Sequence, residues 1–136
     1  MEISRRTDYA LRILLDLARS GGEPVSVRTI AGRQEVPYAF ARGIGRELAS
    51  AGLAESSRGV NGGLVLARSP DEISVLQVVE AMQGPVSCAV CTNDPGWCKR
   101  MGACSVHGVW SGADEMLKKY LGSKSLGGLL ESEGGR

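Results

Sequence analysis

Between residues 38 and 67 the chain passes from a helical hydrophobic period to two short extended runs, with a glycine between them. That succession limits the folds open to it. Phe40, Ile44 and Leu48 recur at helical spacing in a segment from about Tyr38 to Ala51, and Gly52 stands where a glycine ends a helix. Residues 53–57 and 64–67 then read as strands around Arg58-Gly59-Val60-Asn61-Gly62-Gly63. Asn-Gly is a strong hairpin signal, because the favoured two-residue turn needs positive φ at both central positions. Upstream, Ser26 is placed to cap a short helix carrying Val27, Ile30 and Ala31, which Glu35-Val36-Pro37 breaks. Short helix, tight turn, second helix and hairpin together make a winged helix-turn-helix. In that architecture the second helix enters the major groove and the hairpin lies along the backbone or minor groove. Arg58 stands at the wing beside glycines that let backbone approach phosphate closely. Gly43 and Gly45 each weaken the reading helix by ~1 kcal/mol relative to Ala, which suggests a helix less rigid before DNA binds.

The rest of the chain is helical by pattern. A first helix spans about residues 5–20, with Tyr9, Leu11, Ile13, Leu14, Leu15 and Leu17 apolar and Asp8, Arg12 and Asp16 polar, until Gly21-Gly22 stops it. Another covers about residues 74–83, with Val75, Leu76, Val78, Val79 and Met82, and Gly84-Pro85 ends it. From about Ser105 a longer helix carries Val109, Trp110, Ala113, Met116, Leu117, Tyr120 and Leu121. So broad an apolar stripe needs a partner, either the winged domain or a second chain. A last short helix over 125–130 and a frayed end complete the reading. The units are residues 1–83 (wing about 53–68), an irregular stretch 84–107, and 108–136. No internal repeat is visible.

With 136 residues the chain makes one domain, or one domain with an appendage, and its core must be aliphatic, since it has only two Trp, three Tyr and one Phe. No signal peptide and no apolar run of the ~20 residues a membrane span needs is present, so a cytoplasmic protein is expected. Net charge is +1, but residues 1–70 hold ten Arg, no Lys and seven acids, whereas residues 71–136 hold six basic and eight acidic residues. An all-Arg basic half suits phosphate and guanine, which guanidinium forks bind with two parallel hydrogen bonds.

All four cysteines and the single histidine fall within twenty residues, as Cys88-x2-Cys91-x6-Cys98-x5-Cys104-x2-His107. Where thiols stay reduced, such clustering indicates metal or redox chemistry rather than structural disulfides. The segment is too polar and too rich in turn residues to be core. Zinc would use four of the five groups as two close pairs. An iron–sulfur cluster accepts looser spacing from a glycine-containing loop, as Gly96 and Gly102 provide. A thiol switch would pair Cys88 with Cys91. A small redox protein is a further reading, but it has no need of a winged-helix pattern. The lone histidine and the acids form no nucleophile–base–orienter set, so no enzyme is expected.

The opening ISRRTDYALRILLDLA, the stretch VPYAFARGIGRELASAGLAESSRGVNGGLVLAR, and the Cys-x6-Cys-x5-Cys loop before a Trp-bearing helix resemble the Rrf2 family of bacterial winged-helix regulators. The three-cysteine loop resembles its cluster-binding, IscR- and NsrR-like members. The resemblance covers roughly residues 1–130. It implies a mostly α fold with a small β-hairpin wing, a winged helix-turn-helix domain plus a long C-terminal dimerisation helix. It also implies a homodimer on double-stranded operator DNA, with no membrane and no small-molecule substrate.

The implied function is transcriptional regulation, with operator affinity set by an iron–sulfur cluster that senses redox state, nitric oxide or iron. Cys91, Cys98 and Cys104 would hold one 2Fe–2S or 4Fe–4S cluster per protomer, zinc being the alternative metal. The fourth ligand is His107, or Asp8 from the partner subunit, with Cys88 as an additional thiol. DNA contacts fall on Arg28, Tyr38, Ala39, Arg42, Arg46, Arg58, Gly59 and Asn61. Family members often place Tyr-Leu-Glu early in the reading helix. Here Tyr38-Ala39-Phe40-Ala41-Arg42-Gly43 puts Arg42 where that carboxylate stands, which directs Arg42 to guanine and gives the chain its own operator.

Overall fold

The structure is a computed structural model that describes residues 1–59 and 62–134. Asn61, expected in the wing turn, lies outside the described residues. The elements run α1 (Arg5–Arg19), α2 (Val27–Gln34), α3 (Tyr38–Ser50), β1 (Ala54–Ser57), β2 (Gly63–Leu66), α4 (Val75–Gln83), α5 (Val90–Asn93), α6 (Ser105–Gly122) and α7 (Leu126–Gly134). Serines start three of the helices. Ser4 Oγ accepts from the Thr7 amide at 3.1 Å, and Ser26 Oγ from the Thr29 amide at 3.1 Å. Ser74 and Gln77 form a reciprocal capping box. The turn between α2 and α3 is made by Glu35 in the left-handed region, φ 54°, with Pro37 just before α3.

The wing is anchored at its base. β1 and β2 pair antiparallel with Ala54 opposite Leu66. On its other edge Leu64 exchanges two backbone hydrogen bonds with Val25, at 2.8 and 3.0 Å. Gly63 lies so close to the Val25 carbonyl that a Cβ has no room there. Gly45 has a packing reason too. A Cβ on it would stand 3.1 Å from Leu64 Cδ1, so the glycine lets the wing close on the reading helix. Only Gly43 of that pair is an open weak point in α3.

The core joins Ala10, Ile13, Leu14 and Leu17 of α1 to Ile30, Ala31, Ile44, Leu48, Leu53, Leu64, Ile73, Val78 and Leu126. Several expectations need correction. Phe40 is 53% exposed, because the inner face of α3 is Ala41, Ile44, Gly45 and Leu48. Asp16 is not on the solvent face of α1. It is buried, and it accepts from Arg33 Nη1 at 3.0 Å and Gln34 Nε2 at 2.8 Å. Residues 131–134 are not frayed: α7 continues to Gly134, Leu126 is fully buried, and Glu133 pairs with Arg19 at 2.6 Å. The cysteine stretch is not wholly irregular, since α5 makes one turn within it.

The stripe on α6 does not fold back. Val109, Trp110, Met116 and Tyr120 are exposed, Met116 at 76%. Among the described residues no helix is long and apolar enough to cross a membrane.

Candidate nucleic-acid interface and cysteine loop

Ten arginines lie in residues 1–70, and eight of them fall into two groups of four. Arg6, Arg12, Arg19 and Arg33 pair with Glu47, Asp8, Glu133 and Asp16. Arg28, Arg42, Arg46 and Arg58 have no carboxylate within ion-pair distance among the described residues, and all four are exposed. These four occupy α2, α3 and the wing, where the fold would meet DNA. The pattern distinguishes arginines that brace the fold from arginines left open to an outside anion.

Ala39, Arg42 and Arg46 are all exposed on α3, and their helical spacing sets them on one flank of it. A groove of about 170 Å³ between α3 and the wing is lined by Val27, Arg42, Gly45, Arg46, Ser56 and Leu64. Arg58 and Gly59 follow β1, and Gly59 has φ 110°, a conformation that favours glycine. The Tyr38 ring carries the Arg28 guanidinium 4.2 Å from its centroid and that of Arg42 at 5.9 Å. Sequence reasoning missed the Asp16–Arg33–Gln34 brace that ties α1 to the end of α2. Its partners lie 17 and 18 residues away, so no local pattern signals it.

In the cysteine loop, Cys91 on α5 and His107 in the first turn of α6 come together, with Nδ1 3.2 Å from Sγ. Ser111 Oγ lies 3.4 Å from the other ring nitrogen. Cys98 and Cys104 are half-buried on the same loop, Cys104 immediately before α6. Among the described residues no three His, Cys, Asp or Glu side chains converge as around a metal ion. The donor set is nonetheless suited to one: three half-buried thiols and an imidazole, soft and borderline ligands within a single loop.

Asp8 and Cys88 are otherwise engaged. Asp8 accepts from Arg12 Nε at 3.2 Å and Nη2 at 2.9 Å, on a different element from the loop. The Cys88 thiol donates to the Trp110 carbonyl at 3.5 Å, and its amide donates to Asp114 Oδ1 at 2.8 Å. The Asp114 carboxylate beside it raises the Cys88 thiol above its ordinary pKa, chiefly through a side-chain hydrogen bond, with slight desolvation adding to this. Burial disfavours the charged Asp114, but hydrogen bonds from Thr92 and Cys88, with nearby Lys118, together outweigh it and hold the carboxyl low. Asp114 thus ties the start of the loop to the middle of α6 as a charged anchor.

A family model described as Rrf2, iron-dependent transcriptional regulator, matches residues 3–132. The protein named rrf2 of Nitratidesulfovibrio vulgaris is 32% identical over 131 residues, covering 96% of this chain and 87% of that one. The HTH-type transcriptional regulator IscR of Aliivibrio salmonicida is 31% identical, covering 96% and 77%. Among solved structures, CymR, the global cysteine regulator of Bacillus subtilis, superposes with a TM-score of 0.81 at 27% identity, covering 97% and 98%.

Proposed function

Because the chain belongs to the Rrf2 family of DNA-binding transcriptional regulators, we propose that it is a cytoplasmic homodimer whose operator affinity follows the state of an iron–sulfur cluster. Cys91, Cys98, Cys104 and His107 of each protomer would hold that cluster. The observation that carries this reading is the 3.2 Å approach of His107 to Cys91, which pairs two of the four expected ligands across α5 and α6. When bound, the cluster would supply a group reactive to oxidants and nitric oxide.

The chain's own residues give the loop a route to DNA. Cys104 sits at the start of α6, so a loop held at its four ligands fixes the first turn of that helix. α6 packs on α4, α4 on α1, and α1 on α3. The exposed α6 stripe of Val109, Trp110, Met116 and Tyr120 is the surface for a second chain. A two-fold pair of reading helices needs half-sites ~34–36 Å apart, so a small shift of α6 changes the fit to DNA. A held and a released loop differ in operator affinity only as far as they favour different spacings. Arg42 reads a guanine edge, while Arg46 and Arg58 contact phosphate. The family is one of transcriptional regulators rather than enzymes.

The test is protein purified without oxygen, assayed for iron, sulfide and visible absorption, then titrated against a duplex it enriches from a randomised library. The expected result is a coloured protein with iron and sulfide, and an affinity that changes by about tenfold when the metal is removed. A colourless protein with one zinc per chain and an affinity indifferent to oxidants overturns the sensing role. A metal-free protein whose affinity follows a thiol oxidant makes the cysteines a thiol switch instead.

A further inference from the structure

Tyr38 is the first residue of α3, and at 38% exposure it is not a core residue. The Arg28 guanidinium, from α2, stands 4.2 Å from its ring centroid, and that of Arg42, one turn further along α3, stands 5.9 Å away. Neither arginine has a carboxylate partner among the described residues. Two like charges from different helices are thus drawn to one aromatic ring in the free protein.

We infer that Tyr38 is a positioning residue for operator specificity: its ring sets the Arg28 and Arg42 guanidiniums in place before DNA arrives. A cation over the ring is attracted by its quadrupole, and this offsets the repulsion between the two charges. A guanidinium stacked on a ring keeps its in-plane N–H donors free at its edges, and those edges make the bidentate bonds to guanine or phosphate. The N-terminal residues of a reading helix are the ones that reach base edges. Arg42 also lines the groove beside the wing, so the stack opens on the DNA-facing side of the fold.

Prearrangement affects some kinds of binding more than others. A long, mobile arginine loses rotamer freedom when it docks, and one already ordered loses less. That gain applies to the complex in which the donors meet their base edge. Non-specific binding follows the number of phosphates neutralised, which Tyr38 does not alter. Loss of the ring therefore lowers discrimination and leaves the electrostatic background in place. The inference rests on DNA binding alone and does not depend on the cluster.

The experiment uses the full chain purified without oxygen, as wild type, Tyr38→Phe, Tyr38→Leu, Arg28→Ala and Arg42→Ala, with Tyr38→Leu/Arg42→Ala closing a double-mutant cycle. Each is titrated against the duplex that wild type enriches from a randomised library and against a scrambled duplex, at several salt concentrations. Tyr38→Phe keeps the wild-type specificity ratio. Tyr38→Leu and Arg28→Ala lower it by about tenfold, within the range of one good bidentate contact. Tyr38→Leu weakens the enriched duplex far more than the scrambled one and leaves the salt slope unchanged, and Arg42→Ala costs less in its background than alone.

The inference is overturned if Tyr38→Leu keeps the ratio, or if it weakens both duplexes equally. A Tyr38→Phe loss as large as that of Tyr38→Leu also overturns it, since the hydroxyl would then be touching DNA directly. A wild-type protein that enriches no duplex overturns the DNA-binding reading itself, and this inference with it.

Discussion

His107 Nδ1 lies 3.2 Å from Cys91 Sγ, joining the single turn of α5 to the first turn of α6. Asp8, the other candidate for the fourth ligand, is held by two donors of Arg12 on the far side of a turn of α1. The first arrangement offers a ligand beside a thiol, whereas in the second one oxygen of Asp8 is already engaged by Arg12. His107→Ala is therefore expected to weaken iron retention by roughly tenfold or more, and Asp8→Ala to leave it unchanged. Iron, sulfide and visible absorption of the two variants, purified without oxygen, check this. The reverse result moves the fourth ligand to α1 of the partner subunit.

Arg58 follows β1 with no carboxylate partner among the described residues, beside Gly59 in its positive-φ conformation. On the proposed reading, a guanidinium so placed would meet the DNA backbone rather than a base edge. Arg58→Ala should weaken enriched and scrambled duplexes to the same extent and reduce the salt slope by about 1. Titrations across a salt series measure both. A loss confined to the enriched duplex makes Arg58 a base reader.

The glycines of the wing and the reading helix separate by what a methyl group would meet. At Gly63 it would collide with the Val25 carbonyl, while at Gly43 nothing lies within 4 Å. Gly63→Ala should destabilise by about 1–3 kcal/mol, since the backbone pairing with Val25 must shift to admit it. Gly43→Ala should stabilise by ~1 kcal/mol through helix propensity alone. Urea denaturation of both variants tests the pair, and equal effects would mean that Val25 does not hold the wing.

How far the molecule was legible beforehand follows from the range of each signal. Ser26, Gly52 and Gly84 act on their own neighbours, so one cap and two helix ends could be read directly. Phe40 was misplaced because three apolar residues at helical spacing define a stripe only loosely. Small Ala41 and Gly45 turned out to carry the contact. Gly45 read as a weakness because its reason, Leu64, arrives from the wing. The last helix was cut short because what fixes it is distant: Arg19 holds Glu133, and Leu126 enters a core built by α1. In the loop, spacing named the ligand candidates, but the pairing of His107 with Cys91 needed α5, a four-residue helix with no sequence period to reveal it.

Asp16 has a buried carboxylate that both Arg33 and Gln34 donate to. Arg33 is half in solvent and can hydrate itself if Asp16 is lost, so the full cost of stranding a buried charge does not arise. Asp16→Ala is expected to destabilise by about 1–3 kcal/mol, from the lost charge-assisted bonds and the unfilled space. Because the brace sets α2 against α1, the variant should also bind the enriched duplex more weakly at temperatures well below its midpoint. Thermal unfolding and duplex titration at one temperature separate the two effects. A stability loss with unchanged affinity confines the brace to the fold.

The α6 stripe gives the last prediction. Val109, Met116 and Tyr120 recur at intervals of seven and four on one side of the helix, and they are 61%, 76% and 57% exposed. Burial of such side chains contributes about 1.5–3 kcal/mol each, a large fraction of what holds a small dimer together. One charge at the centre of that face would remain desolvated and unpaired in the dimer. Met116→Glu should therefore give a folded monomer by sedimentation, with unchanged helix content, because the winged domain does not use Met116. On a two-half-site duplex its affinity should fall to that of a single half-site. If Met116→Glu remains dimeric with wild-type operator affinity, the second chain sits elsewhere. The apolar face of α6 would then need another occupant.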